Sequence, residues 1–445
     1  MQDKMKVYGL FLGPIVFLII CFLPLPAGLT PPALYCGAVT ALMAIWWISE
    51  AIPIPATSLI PIVLFPLLQI LPTSKVTPAY SNHLIYLFMG GSTTVMMMPI
   101  GMAIINACAD ITGNHDHTKN PFAIGLMLSL AYAASIGGVA TLIGTPPNVI
   151  MVAQLDKLYG VSINFAQWML IGVPLAATFL ILAWLLVTKI LFPVHGDILM
   201  GKGEELVRSE IEKLGPMKRE EKIIAIVFTC AALAWIVMGL VKFPFLKGVS
   251  DATVAVAAAL ALFIIPSDIK KGVFLLDWKT AVKIPWDVIL LFGGGLALAG
   301  AFQSTGLTKF IAGGLTDLNG MPVIIILGAI VTLNIFLTEV TSNTAVATLM
   351  IPIMGAIAVG MGIHPFGPIL AACIACSYAF MLPVATPPNA VVFGSGAVTI
   401  RQMAKTGIWL NILGIFQITL IIYYLVPFVL GIDLSVLPDW AIPKK

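Results

Sequence analysis

Long apolar segments without charged side chains dominate the sequence. The stretches 7–49, 120–155, 158–188 and 340–400 contain no Asp, Glu, Lys or Arg, and the last of them holds 61 residues. Because one helical crossing of a bilayer needs about 20 apolar residues, each stretch is long enough for one to three crossings. The pattern predicts about ten hydrophobic elements and an all-α, polytopic membrane protein.

The composition agrees with this pattern. Hydrophobic residues make up 60% of the 445 residues and charged residues 10%, whereas about a quarter of the residues are charged in a typical soluble domain. A soluble protein of this size could not keep so much apolar surface away from water. The composition therefore excludes a soluble enzyme and a secreted disulfide scaffold. The net charge of +3 is too small to indicate a nucleic-acid partner.

The positions of basic residues predict the orientation of the chain. Cytoplasmic loops are enriched in Lys and Arg, so we expect the amino terminus and the segments 197–222 and 270–283 to be cytoplasmic. The first hydrophobic element, about residues 7–25, lacks a small-residue cleavage site. We therefore expect a retained helix rather than a removable signal peptide.

Two short motifs contain potential metal ligands. Cys373 and Cys376 have the CxxC spacing of redox and zinc sites, but they lie in an uncharged stretch without a second ligand pair. We interpret them as packing residues. His115, Asp116 and His117 are surrounded by Gly, Asn, Thr and Lys, which favours a solvated loop over a metal site.

The two halves of the chain repeat short motifs in the same order. The sequence Thr-Pro-Pro-Asn at Thr145–Asn148 recurs 241 residues later at Thr386–Asn389. Upstream of these, 88–91 matches 292–295, and 97–100 matches 350–353. Internal repetition of this kind is typical of membrane transporters that are built from two related halves.

Each Thr-Pro-Pro-Asn segment must interrupt a helix. Proline removes a backbone donor and pushes the preceding residue out of the helical region. Non-helical backbone at membrane depth is tolerated only inside protein or beside a water-filled cavity. Its free carbonyls can bind cations and the amides at a helix start can bind anions. Two such breaks at matching places favour a binding site over two simple kinks.

A third polar segment follows Glu339 in the second half. Ser342, Asn343 and Thr344 stand between apolar runs, and each buried polar side chain costs free energy unless it finds a partner. Serine and threonine can bond to their own helix, but asparagine is harder to satisfy. We interpret the segment as the tip of a hairpin and as a ligand site.

These motifs together resemble one family. Ser342–Thr344, Thr386–Asn389 and the early segment Trp46–Pro53 are similar to signatures of the divalent anion/sodium symporter (DASS) family, whose INDY-type bacterial members are sodium-dependent dicarboxylate transporters. The resemblance implies sodium-coupled secondary transport of small di- or tricarboxylates such as succinate, by an elevator-type movement. It also implies a homodimer in the lipid bilayer of the bacterial inner membrane, with sodium as the coupling ion, no organic cofactor and no enzymatic activity.

The resemblance further implies the fold and the site residues. The fold is two inverted repeats, each with a re-entrant hairpin and a broken helix, divided between a scaffold and a transport domain. The expected segments are an amino-terminal helix (1–26), a first repeat (27–195), a charged cytoplasmic connector with the following helix (196–245) and a second repeat (246–445). The implied substrate-binding residues are Ser342, Asn343, Thr344, Thr386, Pro387, Thr145 and Pro146. The implied sodium ligands are Thr338, Thr341, Asn343 and Ala385 at one site, and Gly144 and Asn148 at the other.

The absence of fixed cations near the second motif supports co-bound sodium. The stretch 340–400 contains no Lys or Arg, and its only histidine is His364 beside a proline. A buried dicarboxylate would carry two unpaired negative charges, which amide donors alone cannot compensate. Co-bound cations would neutralise it. Because related exchangers often use a basic residue instead, an antiporter of the same family is the alternative.

Other classes of membrane protein fit the sequence less well. An ATP-driven pump requires a GxxxxGK[ST] phosphate loop, which the sequence lacks. An intramembrane enzyme requires an acid–base constellation, but Glu50, Asp110 and Glu339 lack obvious partners, so we interpret them as helix-end charges or ion-pair members. A channel is expected to surround one filter with identical subunits rather than to repeat within a chain.

The first half departs from the family pattern because its Ser-Asn-Thr is absent. Aligning Pro99 with Pro352 places 89–91, Met-Gly-Gly, opposite Ser342–Thr344. Gly91 and Pro99 are 8 positions apart, whereas Gly294 and Pro352 are 58 apart, so the first half is about 50 residues shorter near Gly91–Ser92. Either the polypeptide lacks this segment, or the full protein carries residues that are absent from this sequence.

Intact mass spectrometry of the purified chain distinguishes these two cases. At the mean residue mass given by 47.3 kDa over 445 residues, about 50 additional residues would add about 5 kDa. If the deletion is real, the mass is 47.3 kDa and we expect transport close to zero, because Met and Gly offer no side-chain oxygen to a carboxylate. A mass of 47.3 kDa together with full sodium-driven uptake would contradict a site that needs two Ser-Asn-Thr tips.

Overall fold

The computed structural model covers most of the hydrophobic elements. It describes residues 2–81, 97, 101–106, 109, 116–193, 208, 212, 215–241, 249–282, 286–308, 310, 321–383 and 385–442. Several sequence-based predictions fall outside these residues, namely the short junction at Gly91–Ser92, Asp110, His115 and most of the charged connector.

Nearly all regular structure in the described residues is helical. The helices are α1 Gln2–Phe22, α2 Pro31–Ser49, α3 Ile54–Thr57, α4 Ile60–Leu67, α5 Thr73–Val76, α6 Pro121–Val139, α7 Pro146–Tyr159, α8 Phe165–Leu185, α9 Arg219–Leu240, α10 Asp251–Ile264, α11 Trp278–Ala281, α12 Trp286–Thr305, α13 Val323–Glu339, α14 Asn343–Gly360, α15 Phe366–Ala375, α16 Pro387–Gly394, α17 Ile400–Leu420 and α18 Val426–Leu430. Two short antiparallel strands, β1 Pro266–Asp268 and β2 Val273–Phe274, form a small hairpin.

Within the described part, seven helical segments are long and apolar enough to cross a membrane. They are 5–22, 31–49, 121–139, 165–191, 219–240, 343–360 and 400–430. Five shorter apolar helical segments accompany them, since Pro, Gly and small polar residues divide the apolar stretches. These helices carry apolar side chains on all of their faces, which is typical of helices in a membrane or a buried core. The set suits the polytopic, mostly helical membrane protein that the sequence predicts.

Buried apolar side chains form two clusters that meet at α12. The larger cluster includes residues of α6–α8 and α13–α17, and the smaller includes residues of α2 and α4. Helix α12 contributes Phe292 to the larger cluster and Leu291 and Leu298 to the smaller one. It therefore packs on both sides and joins the two clusters.

Three consecutive glycines allow α12 to approach its neighbours closely. A Cβ atom built on Gly294 would lie 2.6 Å from the Ser58 carbonyl oxygen, and one on Gly295 would lie 2.1 Å from Thr348 Cγ2. A Cβ on Gly293 would lie 2.2 Å from Tyr80 Cδ1. From the sequence, 292–295 is recognisable only as part of a repeat. The structure gives the physical reason for its three glycines, because a side chain at any of them would push α12 away from the neighbouring backbone or side chain.

We expect Gly294→Ala to destabilise the folded protein by about 1–3 kcal/mol, as overpacking does in other tight cores. The new methyl group would meet backbone, which cannot move away as a flexible side chain can. Thermal unfolding of the purified protein in detergent measures the effect. The matched control is Gly37→Ala in α2, where the nearest atom to an added Cβ is 4.0 Å away, so its melting temperature should stay or rise slightly. Equal melting temperatures of both variants and the wild type would contradict the close contact.

Candidate functional site

Both Thr-Pro-Pro-Asn segments begin a helix. Thr145 and Thr386 are the N-cap residues of α7 and α16, and both have extended backbone angles, with φ −146° and ψ 142° at the first and φ −140° and ψ 150° at the second. The two prolines of each motif occupy the first helical turn, where a missing N–H leaves no intrahelical bond broken. Each motif therefore ends a non-helical segment and starts a short helix.

The asparagine of each motif fastens the preceding non-helical segment. Asn148 donates from Nδ2 to the Thr141 carbonyl at 2.9 Å, and Asn389 donates to the Ala379 and Leu382 carbonyls at 3.2 and 3.0 Å. Both asparagines are fully buried. Because a buried backbone carbonyl needs a donor, these amides stabilise the loops that precede α7 and α16.

In the first half, close backbone contact shapes the loop between α6 and α7. A Cβ atom built on Gly144 would lie 2.3 Å from the Gly138 carbonyl oxygen, and one on Gly138 would lie 3.0 Å from the Gly144 carbonyl oxygen. Only glycine allows both positions to approach in this way. The sequence singled out Gly144 as a sodium ligand but did not identify Gly138.

In the second half, the Glu339 carboxylate holds the segment between α15 and α16. Its Oε1 accepts from the backbone N–H groups of Phe380 and Met381 at 2.7 and 2.9 Å, and its Oε2 accepts from Leu382 N–H at 3.1 Å. Asn411 of α17 adds a side-chain donor at 2.7 Å. Glu339 is only 3% exposed. Glu339 is the last residue of α13. Its carboxylate therefore ties the end of this helix to the non-helical segment between α15 and α16.

The connection between α13 and α14 carries the Ser-Asn-Thr motif. Helix α13 ends at Glu339 and α14 begins at Asn343, with Ser342 as its N-cap. The Thr338 hydroxyl donates to Asn343 Oδ1 and also approaches the Cys376 carbonyl at 3.1 Å. Thr341 is 1% exposed, and its hydroxyl has no hydrogen-bond partner among the described residues. Side-chain and carbonyl oxygens therefore lie together at this connection.

These elements surround a cavity of about 260 Å³. Six of the predicted site residues line it: Gly144, Thr145, Pro146, Asn343, Thr386 and Pro387. Six others do not line it: Ser342, Thr344, Thr338, Thr341, Ala385 and Asn148. The volume lies just below the range of about 300–1,000 Å³ for ligand pockets and suits a small molecule.

The cavity also involves residues that the sequence did not single out. They are Ala134, Ser135, Gly138 and Ser377, and Pro388 of the second Thr-Pro-Pro-Asn motif lines the cavity with them. The Ser377 hydroxyl lies 3.4 Å from that of Thr145. Ser135 lies in an apolar helix, and single serines in such helices usually bond to their own backbone. The only signal that could have found Ser377 is its place at the start of the segment that ends in the second Thr-Pro-Pro-Asn.

Helix starts dominate the electrostatics of the cavity. Pro146, Asn343 and Pro387, the first residues of α7, α14 and α16, all line it. The amino-terminal end of a helix carries a partial positive charge that stabilises anions. None of the described lining residues is Lys, Arg, His, Asp or Glu. The arrangement favours an anion held by dipoles and hydroxyls rather than by fixed cations.

The remaining sequence candidates do not line the cavity. Cys373 Sγ approaches the Pro147 carbonyl at 3.3 Å, and both Cys373 and Cys376 are fully buried. Glu50 forms a 3.6 Å ion pair with Lys6. Asp116 accepts from the Thr118 hydroxyl and pairs with Lys119 at 2.9 Å, and these contacts lower the pKa of Asp116.

Known proteins are similar in sequence to this chain over most of its length. A family model described as "Sodium:sulfate symporter transmembrane region" matches residues 4–91 and 84–431. The chain is 37% identical over 486 positions to the sodium-dependent dicarboxylate transporter SdcS of Staphylococcus saprophyticus, covering 97% of this chain and 93% of the relative. It is 38% identical over 484 positions to SdcS of Staphylococcus aureus strain USA300, with the same coverage.

The lengths of these alignments also bear on the short first half. Since 97% of 445 residues is about 432, about 54 of the 486 aligned positions have no residue in this chain. The two family-model matches meet at residues 84–91, where the repeat spacing places the short junction. Matches of this extent and identity show that the chain belongs to the sodium:sulfate symporter family, the divalent anion/sodium symporters that its motifs resemble.

Proposed function

We propose that this protein is a sodium-coupled secondary transporter of small dicarboxylates, such as succinate, in the bacterial inner membrane. The observation that carries the proposal is the cavity at the starts of α7, α14 and α16, where helix dipoles favour an anion and no described lining residue is a fixed cation. The dicarboxylate transporters that share 37–38% identity with this chain support the substrate class and the coupling ion.

Charge balance requires cations beside the substrate. Helix starts and hydroxyl groups supply partial charges, whereas a dicarboxylate brings two full negative charges into an apolar environment. The buried Glu339 carboxylate adds another acidic group, and no salt bridge to it occurs among the described residues. Sodium ions bound with the substrate would reduce this excess of negative charge and couple substrate binding to the sodium gradient.

The proposed sodium ligands of the second half lie at the connection between α13 and α14. Thr338 and Asn343 are already in contact, and the buried Thr341 hydroxyl lacks a partner among the described residues. With Ala385 they would form one site. The other would use the Gly144 loop and Asn148, whose Nδ2 donates to the Thr141 carbonyl and whose Oδ1 lies 3.6 Å from the Cys373 thiol.

The substrate would bind between the two halves. Ser342, Asn343 and Thr344, with Thr386 and Pro387, would bind one carboxylate, and Thr145 and Pro146 would lie at the other end. Asn343 lines the cavity and also contacts Thr338. It would therefore serve substrate and sodium at once, and this shared residue would link their binding.

An elevator movement within a homodimer is the transport mode that we propose. The two clusters of buried side chains, joined through α12, are consistent with a scaffold and a transport domain. The expected segments 1–26, 27–195, 196–245 and 246–445 and a cytoplasmic amino terminus remain part of this proposal.

Sodium dependence is tested with labelled succinate in proteoliposomes. We expect uptake with an inward sodium gradient and none when a proton gradient replaces it, because the described lining residues offer no titratable group to carry a proton. Equal uptake in potassium buffer at fixed pH would contradict sodium coupling and favour exchange.

Asn343→Ala should abolish uptake while the protein stays folded. The substitution removes an amide donor to the carboxylate and an oxygen ligand to sodium, and a combined loss of about 3 kcal/mol lowers binding more than about 100-fold. The matched control is Asn334→Ala, another buried asparagine, whose Nδ2 bonds to Ile330 within α13. It should reduce stability but keep sodium-dependent uptake. Wild-type uptake by Asn343→Ala at normal yield would show that Asn343 is a packing residue.

A further inference from the structure

We propose that Ser377 and Ser135, together with Thr145, form a clamp of three hydroxyl groups that binds the second carboxylate of the substrate. The inference rests on the proposed function and deepens it, since this clamp would select dicarboxylates over monocarboxylates. All three residues line the cavity. Thr145 and Ser135 belong to the first half of the chain and Ser377 to the second.

The contact between Thr145 and Ser377 leaves both hydroxyls with capacity for a ligand. Their oxygen atoms are 3.4 Å apart, whereas hydroxyl hydrogen bonds are usually about 2.7–2.8 Å long. A carboxylate accepts shorter and stronger bonds from hydroxyls, at about 2.5–2.7 Å. A carboxylate oxygen that accepts from both hydroxyls would therefore form stronger hydrogen bonds than the two hydroxyls form with each other.

Thr145 and its counterpart Thr386 use their hydroxyls differently. The Thr386 hydroxyl caps α16 by accepting from the Asn389 N–H at 3.2 Å. The Thr145 side chain forms no such cap bond with α7, although its backbone has the same extended conformation. An N-cap threonine ordinarily stabilises its helix through that bond. The Thr145 hydroxyl instead approaches Ser377, which belongs to the segment between α15 and α16.

Ser135 completes the group from α6. Its hydroxyl is buried and has no hydrogen-bond partner among the described residues, and an unpaired buried hydroxyl is unfavourable. Ser135 precedes Gly138 by three residues, so the two share one face of α6. A Cβ atom built on Gly138 would lie 3.5 Å from Thr145 Cβ, which places this face beside Thr145. Ser135 also lines the cavity, so we place its hydroxyl in the clamp.

The clamp offers hydroxyl donors at the end of the cavity that Thr145 lines. Three hydroxyls can each donate one bond to a carboxylate. None of them carries a charge, so the clamp itself adds no cation to the site. The second carboxylate would therefore depend on hydroxyl geometry, and removal of one hydroxyl should weaken dicarboxylate binding while leaving a monocarboxylate unaffected.

The test compares succinate with its monomethyl ester in proteoliposomes. Wild type, Ser377→Ala and Ser135→Ala are assayed for succinate uptake, and unlabelled succinate and the ester are used as inhibitors. We expect each alanine variant to raise the succinate half-saturation concentration about tenfold or more, as is typical for a lost hydrogen bond to a charged group. Inhibition by the ester and the sodium concentration for half-maximal uptake should stay within about twofold of wild type.

Ser129→Ala is the matched control. Ser129 lies in the same helix, and its hydroxyl is also buried without a described partner, but it lines an apolar groove with Trp184 instead of the cavity. Its preference for succinate over the ester should equal that of wild type. A Ser135→Thr variant keeps the hydroxyl and should retain most of the preference.

Thermal unfolding keeps the inference testable if a variant transports too slowly to measure. Because the Ser135 hydroxyl has no described partner, Ser135→Ala should unfold at the wild-type temperature or above it without ligand. Succinate and sodium should raise the unfolding temperature of the wild type, and they should raise that of Ser135→Ala by less. Should the Ser377→Ala protein not fold, Ser377→Cys, which keeps the volume but donates weakly, takes its place with the same expectation.

The outcomes separate the two proposals. If wild type shows neither uptake nor thermal stabilisation with any dicarboxylate and sodium, the proposed function and the clamp both fail. If wild type transports succinate and both serine variants keep the wild-type preference over the ester, only the clamp is overturned.

Discussion

The non-helical segment between α15 and α16 depends on one carboxylate. Backbone N–H groups at membrane depth need partners from the protein itself, and Glu339 supplies them for Phe380, Met381 and Leu382. Around this brace, Tyr132 donates to the Phe380 carbonyl at 3.0 Å, and Gly407 of α17 lies against the same backbone. Without the carboxylate, three amides would lose their acceptor, and the cavity wall that includes Ser377 and Thr386 would lose its support.

The two halves solve the same structural problem with different means. Each has a Thr-Pro-Pro-Asn motif whose asparagine binds the preceding loop. In the first half, however, the loop is held by the mutual approach of Gly138 and Gly144, and in the second half by the bonds to Glu339. A repeated sequence motif therefore indicates a shared backbone path but not a shared set of side-chain contacts.

The sequence predicts the breaks of the helices better than the composition of the cavity. Proline acts through local geometry, so the helix starts at Pro146 and Pro387 can be expected from the residues alone. Ser135 and Ser377 could not be identified in this way, because a lone serine in an apolar run has the same local pattern whether it packs or binds. Three of the four described hydrogen-bond partners of Glu339 are backbone amides that begin 41 residues away, and backbone amides leave no trace in a sequence. The ligand roles assigned by resemblance to Thr338, Thr341 and Ala385 stay predictions.

The paired prolines of both motifs have a consequence for the unloaded protein. A helix start normally presents several free N–H groups, which would be left without acceptors in a dry, vacant cavity. Proline at the first two positions of α7 and α16 deletes two of these donors in each helix while the helix dipole remains. An anion at these helix starts would thus be attracted by the dipole, yet few donors would be left without acceptors after it leaves. A symporter returns empty in each cycle, and in the transporter proposed here the paired prolines would lower the free-energy cost of that return.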